Sequence, residues 1–581
     1  MPFKPEIYYE PDQKVWSGSY EAPYFSPDLS VGEITFWEMQ RHPQLIAQIS
    51  ASENTTLTRG ELFLNSQSIA TYMRNLGMYQ SDIVGIIARN TTHMSAVVYA
   101  CLFNGIAFHP LNVNYMEQTI EKLFEITQPK LIFCDGDEYD KVKAATTKLD
   151  VKIITMRNHK EGSIKIDDVI ATPIPADFAP LRLEQGNNQT LGILCSSGTT
   201  GVPKAVTNAS AHKFFSTTKY LTTADVQYCH STLDWVTGFT AVISSGVHST
   251  LRIISAENFD PTLVLNLIEK YKITWLLIAP SHMAMLANSP DFEKIKIDSL
   301  KHLLYGGMCC SLEVQERLRK RVNKGVLQFA YGFSELGSTN CTLNKHYDEK
   351  PNSVGRILPG QKLKIVNENG EALEPNQTGE ICINPCQYWP GYYRNPTESR
   401  MVRDRDGWFH TGDSGYVDSD GFLYISGRIK DMLKFQNIMY YPSDIEDVIT
   451  QMPGVAEVCV FGIHSDENME EAAASVVPKR GAKITAEDVV KYVKDHVSTN
   501  YLQLHAGALI VDDIKRQPNG KTSREATKKH FIENYRKYLI SVLNPKLNAQ
   551  RLQQVLRKSR STTSELRTWT LKSEFRYANK Q

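Results

Sequence analysis

From about Thr58 onward, helical patterns alternate with short runs rich in β-branched residues, and this alternation limits the fold more than any other feature of the chain. Leu62–Leu76 is followed by Ile83–Ile87, and Ile120–Thr127 by Leu131–Cys134. Further runs occur at Leu251–Ile254, Thr274–Ile278 and His302–Leu304, with a helix predicted over Pro261–Tyr271 between the first two. Strands separated by helices are joined by crossovers, so the spacing predicts α/β layers with parallel strands. Met94–Phe108 is nearly apolar but too short to span a bilayer, and it contains Asn104 and Gly105. It reads as a buried helix.

After about Gly355 the texture changes to short strands split by Gly, Asn and Asp-Gly turns, at Lys362–Val366, Glu380–Ile383 and Phe422–Ser426. From Met432 a shorter α+β pattern follows, with helices at Pro442–Gln451 and Ala486–His496 around a strand at Val455–Phe461. A chain of 581 residues exceeds one ordinary domain. The expected division is an irregular leader at 1–50, rich in Pro, Tyr and Ser, then a large domain at 51–429. A small α+β domain follows at 430–535, with its hinge near Arg428–Asp431, and then a basic tail at 536–581.

Lys+Arg and Asp+Glu both number 64, so average charge names no partner. The 22% charged and 41% hydrophobic fractions are those of a globular, not a disordered, chain. The tail from Arg536 holds 11 basic and 2 acidic residues, a local +9 that leaves −9 on the body. Such a tail can meet an anionic membrane or nucleic acid; the plainer reading is a solvated appendage. The ten cysteines are scattered, with no CxxC pairs at zinc spacing, which fits reduced thiols. The N-terminus lacks an apolar signal-peptide region, so the sequons at Asn54, Asn90, Asn188 and Asn208 carry no expected glycan.

The sharpest motif is Ser196-Ser197-Gly198-Thr199-Thr200-Gly201-Val202-Pro203-Lys204, after the apolar run Leu191–Leu194. Two glycines let backbone N–H groups turn toward one point, and four hydroxyls with a lysine can surround a polyphosphate. The common Gly-x4-Gly-Lys-[Ser/Thr] loop is not satisfied. Asp418-Ser419-Asp420-Gly421 reads as a hairpin turn, because the Glu that closes an EF-hand is missing.

This loop resembles the phosphate loop of the adenylate-forming superfamily, which includes acyl-CoA synthetases, 4-coumarate–CoA ligases and firefly luciferase. Further matches follow in the family's order: Tyr331-Gly332-Phe333-Ser334-Glu335, Gly412-Asp413, Gly427-Arg428-Ile429-Lys430 and Asn519-Gly520-Lys521. The likeness covers roughly residues 50–530. It implies a large AMP-binding N-terminal domain with layered α/β and β-rich lobes, and a small mobile cap. ATP, Mg²⁺ and CoA are the implied cofactors, and a small carboxylic acid is the implied substrate; no specific nucleic-acid partner is expected.

By the same resemblance, Ser196–Gly201 and Lys204 cradle the β- and γ-phosphates, and Glu335 holds Mg²⁺. Tyr331 stacks on adenine, with Gly307, Gly332 and Ser334 beside the nucleotide. Asp413 accepts the ribose hydroxyls with help from Arg428. Lys521 meets the α-phosphate and the reacting carboxylate. Lys430 is the implied hinge, whose rotation exchanges Lys521 for the face carrying Lys434. One Mg-ATP pocket bridging two lobes is the central expectation.

Four positions depart from the family pattern. Ala205 replaces a glycine and is tolerable where φ is negative; Ser334 replaces Thr and keeps the hydroxyl; Asn437 replaces a glycine in the thioester-forming segment. Where luciferases and coumarate ligases carry a His-containing segment, this chain has Leu233-Asp234-Trp235-Val236-Thr237-Gly238-Phe239. Trp235, with Gly238, then lines the acyl tunnel, faced by Gly306-Gly307-Met308. An apolar wall favours a medium- or long-chain fatty acid. Loss of the His argues against light emission and against a close copy of the coumarate site.

The expected activity is therefore an AMP-forming fatty acyl-CoA synthetase. An aryl-CoA ligase or luciferase-like enzyme is the alternative within the same chemistry, and a catalytically weak acyl- or nucleotide-binding protein is the alternative outside it. The chain ends Ala578-Asn579-Lys580-Gln581, without the Ser-Lys-Leu-like peroxisomal address of many relatives, which makes the cytoplasm the expected site.

Overall fold

A computed structural model describes residues 7–20, 25–26, 28–196, 203–209, 218–307, 310, 312–342, 349–385, 389–436, 438–465, 468–517 and 521–543, with side chains through Tyr535. It is a mixed α/β structure of two compact units: Met1–Thr411 with Tyr416–Ile425, and Gly412–Gly415 with Ser426–Gln581. The second unit thus starts at Ser426, ahead of the expected Lys430, and also takes a short piece of an earlier strand.

Two large sheets dominate the first unit. One runs Lys204–Asn208, Gly192–Ser196, Ala107–Pro110, Ile83–Ile87, Leu131–Cys134, Lys152–Thr155, Ile164–Lys165. Its strands are parallel except for the first pair. The other has a parallel centre of Val326–Phe333, His302–Gly306, Trp275–Ile278, Val226–Cys229, Leu251–Ile254 and Ile46–Ser50, with antiparallel strands at both ends. The expectation of parallel strands therefore holds at the centres of the sheets and fails at three of their four edges, where short hairpins need no crossover helix.

Helix Arg59–Asn75 starts at Thr58 because a capping box is present: Thr58 accepts from the Glu61 N–H at 3.2 Å, and the Glu61 carboxylate accepts from the Thr58 N–H at 2.8 Å. It packs on Met94–Asn104, a helix in which every residue is buried. That helix stops at Gly105, whose φ of 64° suits a left-handed cap. The predicted helix over Met94–Phe108 is thus a helix followed by the strand Ala107–Pro110, since periodicity cannot separate two fully buried elements.

The described residues of 1–50 are not an irregular leader. Ile7–Glu10 and Val15–Gly18 form a hairpin that adds to Lys362–Val366 and Gly379–Asn384, and Val31–Gln40 is a helix capped by Ser30 with Glu33. The strands are only four residues long, and the strand that holds the hairpin in its sheet, Lys362–Val366, lies far along the chain, so no local pattern announces them.

In the second unit, Met469–Pro478 pairs with Val455–Ser465, Leu433–Phe435 and Ala508–Ile510, and helices Pro442–Thr450 and Ala486–His496 bury Ile445, Ile449, Val489 and Val493 in its core. A final helix, Arg524–Leu543, runs into the predicted tail; the rest of that tail lies outside the described residues. Among the described residues, no helix is long and apolar enough to cross a membrane, and each cysteine is a free thiol.

Candidate active site

Four parallel strands of the larger sheet end together. Their registers pair Cys229 with Leu277, Ile278 with Tyr305, and Gly306 with Ala330. Trp235 lies beyond one of these ends, Gly306 closes another with Gly307 next, and Tyr331–Phe333 finish the last strand, with Ser334 and Glu335 in the turn after it. The carboxyl ends of parallel strands are where open α/β sheets bind ligands.

Ser196 and Lys204 close the antiparallel pair Gly192–Ser196/Lys204–Asn208 opposite one another. The connecting loop, with Ser197, Gly198, Thr199, Thr200 and Gly201, lies outside the described residues. Ala205 is buried in this ladder and is absent from the positive-φ residues, so its methyl group is tolerated. The ladder also fixes the segment 389–393: Tyr393 N–H donates to the Ala205 carbonyl at 2.8 Å, and Trp389 Nε1 donates to the Thr207 carbonyl at 3.1 Å.

That packing brings together the lysine and the carboxylate. Lys204 Nζ lies 5.0 Å from the Tyr392 ring centroid and donates to Glu398 Oε2 at 2.5 Å. The Tyr392 hydroxyl donates to Glu335 Oε1 at 2.8 Å. Burial, then the Glu335 charge, pushes the Tyr392 phenol well above its ordinary value, so it remains a donor. Glu335 is 8% exposed and follows the strand Val326–Phe333. A buried carboxylate served by a phenol is a hard oxygen donor that fits Mg²⁺, which takes one or two carboxylates plus phosphate oxygens.

Tyr331 is buried with its ring 5.0 Å from that of Phe333 at a steep 75° angle. Gly332 is required by space: a Cβ there would lie 2.3 Å from the Gly337 carbonyl oxygen. Ser334 sits in the following turn.

Trp235 is the N-cap of helix Val236–His248 and is half-buried. A Cβ on Gly238 would meet the Thr232 carbonyl at 2.0 Å, so the loop can fold tightly onto the helix only with glycine there. Asp234 is held inward, accepting from Thr232 Oγ1 at 2.5 Å and Asn112 Nδ2 at 2.9 Å, and burial raises its pKa. Gly306 abuts the Ala330 carbonyl, Gly307 has φ 90°, and Met308 lies outside the described residues.

In the second unit, Arg428 Nε lies 2.8 Å from Asp413 Oδ1, pairing two residues that the motifs grouped at the ribose. Lys430 occupies the one-turn helix Ile429–Asp431, where burial lowers its pKa. Lys434 lies in the strand Leu433–Phe435, its N–H donating to Glu470. The Lys521 carbonyl accepts from the Gln517 N–H at 2.8 Å, beside the bridge Arg516–Thr522. Asn437 is outside the described residues.

The structure thus joins Lys204 to Glu335 and Asp413 to Arg428. Four residues of these clusters carried no signal as site residues: Tyr392, Glu398, Asn112 and Asp234. The place of Tyr392 arises from pairing with a strand far earlier in the chain.

Residues 35–393 match the AMP-binding enzyme family and residues 444–521 the AMP-binding enzyme C-terminal domain. Luciferin 4-monooxygenase of Photinus pyralis is 28% identical over 545 residues, covering 88% of this chain and 96% of that protein. 4-coumarate–CoA ligase 1 of Petroselinum crispum is 26% identical over 494 residues, covering 82% and 89%. The luciferase-like enzyme of the nonluminescent mealworm Zophobas morio superposes with a TM-score of 0.66 at 28% identity, over 72% of this chain and 99% of the other. The enzymes of this family use ATP, Mg²⁺ and CoA. The chain belongs to the AMP-binding enzyme family, the adenylate-forming superfamily of ATP-dependent acyl- and aryl-CoA ligases and luciferases.

Proposed function

We propose that this protein activates a hydrophobic carboxylic acid, in the first place a medium- or long-chain fatty acid, as its adenylate and transfers the acyl group to CoA. The observation that carries the adenylation reading is the Lys204–Tyr392–Glu335 cluster at the foot of the phosphate loop. The acid preference is supported by the segment Leu233–Phe239, where Asp234 is bonded inward and Trp235 leads into an apolar helix; by the resemblance, this segment answers to the His-containing one of luciferases and coumarate ligases.

In the first half-reaction, a carboxylate oxygen of the acid attacks the α-phosphorus of ATP. An O–P bond forms and the bond to pyrophosphate breaks. In the second, the CoA thiolate attacks the acyl carbon, a thioester forms and AMP leaves. Both reactants of the first step are anionic, so preorganised positive charge lowers its barrier. We assign Lys204, with Ser196 through Gly201, to the β- and γ-phosphates, and Glu335 to Mg²⁺, which when bound neutralises phosphate charge. Tyr331, Gly332, Ser334 and Gly307 are assigned to the adenine side, and Asp413 with Arg428 to the ribose. Lys521 is assigned to the reacting carboxylate, Lys430 to the hinge and Lys434 to the thioester-forming face. Residues 430–535 are read as the cap, and Trp235, Gly238, Gly306 and Met308 as the acyl pocket.

The relatives named above favour a second reading, an aromatic acid. AMP production across fatty acids of increasing length and a set of aryl acids, with and without CoA, separates the two. Fatty acids should give the higher kcat/KM, with CoA speeding turnover. A preference for aryl acids overturns the substrate assignment, and acid-independent AMP production unchanged in Lys521→Ala overturns the enzyme itself.

A further inference from the structure

Arg59 and Arg252 are 3% and 2% exposed, and both line one small cavity of about 20 Å³ in the first unit. Arg59 opens the helix Arg59–Asn75, and Arg252 lies in the strand Leu251–Ile254. Neither belongs to the Lys204–Glu335 cluster. A guanidinium has five N–H donors and keeps its charge in proteins. Arg59 Nη2 donates to the Ser249 carbonyl, while its Nε and Nη1 have no hydrogen-bond partner among the described residues. Arg252 donates from Nη1 to Ser95 Oγ at 2.9 Å and from Nη2 to Asn90 Oδ1 at 3.4 Å, and its Nε has no partner among the described residues.

Counter-charge is scarce around the pair. The carboxylate acting on Arg59 is that of Glu38, which makes its ion pair with Arg41 at 3.1 Å. Among the described residues, the groups whose charge acts on Arg252 are the Tyr99 phenol and the Cys229 thiol, and burial pushes both of these up, so both are neutral at pH 7. The hydroxyls of the wall are already committed: Ser95 Oγ donates to Gln48 Oε1 at 2.7 Å, and Tyr99 OH to the Val242 carbonyl at 2.9 Å. Two desolvated cations with open donors cost several kcal/mol each unless a negative charge joins them. A water would accept hydrogen bonds but bring no charge. The cavity has room for about one water or one small monatomic ion, too little for phosphate, sulfate or an organic carboxylate.

We propose that this cavity is a structural anion site that binds a single halide of chloride size between Arg59 and Arg252. The ion offsets the buried charge where the opening of helix Arg59–Asn75 meets the strand Leu251–Ile254. The test compares thermal unfolding of the full chain in chloride and in gluconate at matched ionic strength, for wild type, Arg59→Met and Arg252→Met. Wild type should gain about 2 °C or more in chloride, and both variants should lose that difference. Crystals of the wild type grown from bromide should show one anomalous peak in the cavity, a readout that does not depend on the variants folding. An equal chloride effect in all three proteins, or density that refines as water without anomalous signal, overturns the site.

Discussion

Glu335 and Lys204 come from different sheets of the first unit, and the Tyr392 phenol connects them, touching one through a hydrogen bond and the other through its ring. A hydrogen bond to a charged group contributes about 1.5–3 kcal/mol. Tyr392→Phe keeps the ring over Lys204 and removes that bond, so kcat/KM for ATP should fall about 10- to 100-fold with little change in Tm. Steady-state kinetics with varied ATP, together with a melting curve, checks this; unchanged kinetics would show that the phenol does not position Glu335. Lys204, Tyr331, Glu335 and Asp413 stand out in the sequence because they lie in contiguous motifs that resemble those of the adenylate-forming superfamily. Tyr392 and Glu398 were not legible. Their place depends on the segment 389–393 lying against the strand Lys204–Asn208, and no local pattern encodes a partner so distant.

At the scale of elements, the binding segments hang on strand ends whose register is fixed by buried β-branched and aromatic residues. Strands such as Ile83–Ile87, Leu131–Cys134 and Leu251–Ile254 were legible to the residue because each is a short apolar run beside a strongly periodic helix. The hairpin at Ile7–Gly18 was not, since its stability comes from Lys362–Val366 rather than from itself. Tight turns set where the segments point. Gly238→Ala would place a methyl 2.0 Å from the Thr232 carbonyl, forcing the Trp235 loop away from its helix. Overpacking of this kind costs about 1–3 kcal/mol. Denaturant unfolding should show that loss, and KM for the acid should rise more than KM for ATP. A parallel rise in both would place the loop outside the acid pocket.

For the whole molecule, buried histidines set the acid limit of stability. Burial lowers His109 from 6.5 to about 3 and His230 from 6.5 to about 4. Near pH 5 the unfolded chain therefore binds two protons that the folded chain does not. Asp135, raised by burial from 3.8 to about 6, binds one proton in the folded state over the same range and partly offsets them. The net is about one proton to the unfolded state, or about 1.4 kcal/mol per pH unit. From these groups the contribution should be full above pH 6.5 and should fall as pH drops from there toward 4. His410, raised from 6.5 to about 10 by its hydrogen bonds to Cys382 and Glu380, adds stability that is lost as pH rises from 6.5 toward 10. Chemical denaturation at pH 7 and pH 5 measures it; greater stability at pH 5 would contradict the sign.

Adenylation itself is tested most directly by acid-dependent exchange of labelled pyrophosphate into ATP, measured for wild type, Glu335→Gln and Lys204→Met. The account predicts exchange in the wild type only when a carboxylic acid is present. Exchange should fall at least about 100-fold in both variants, with part of the Glu335→Gln loss recovered at high Mg²⁺. Wild-type exchange without acid, or variants that match the wild type, would contradict it.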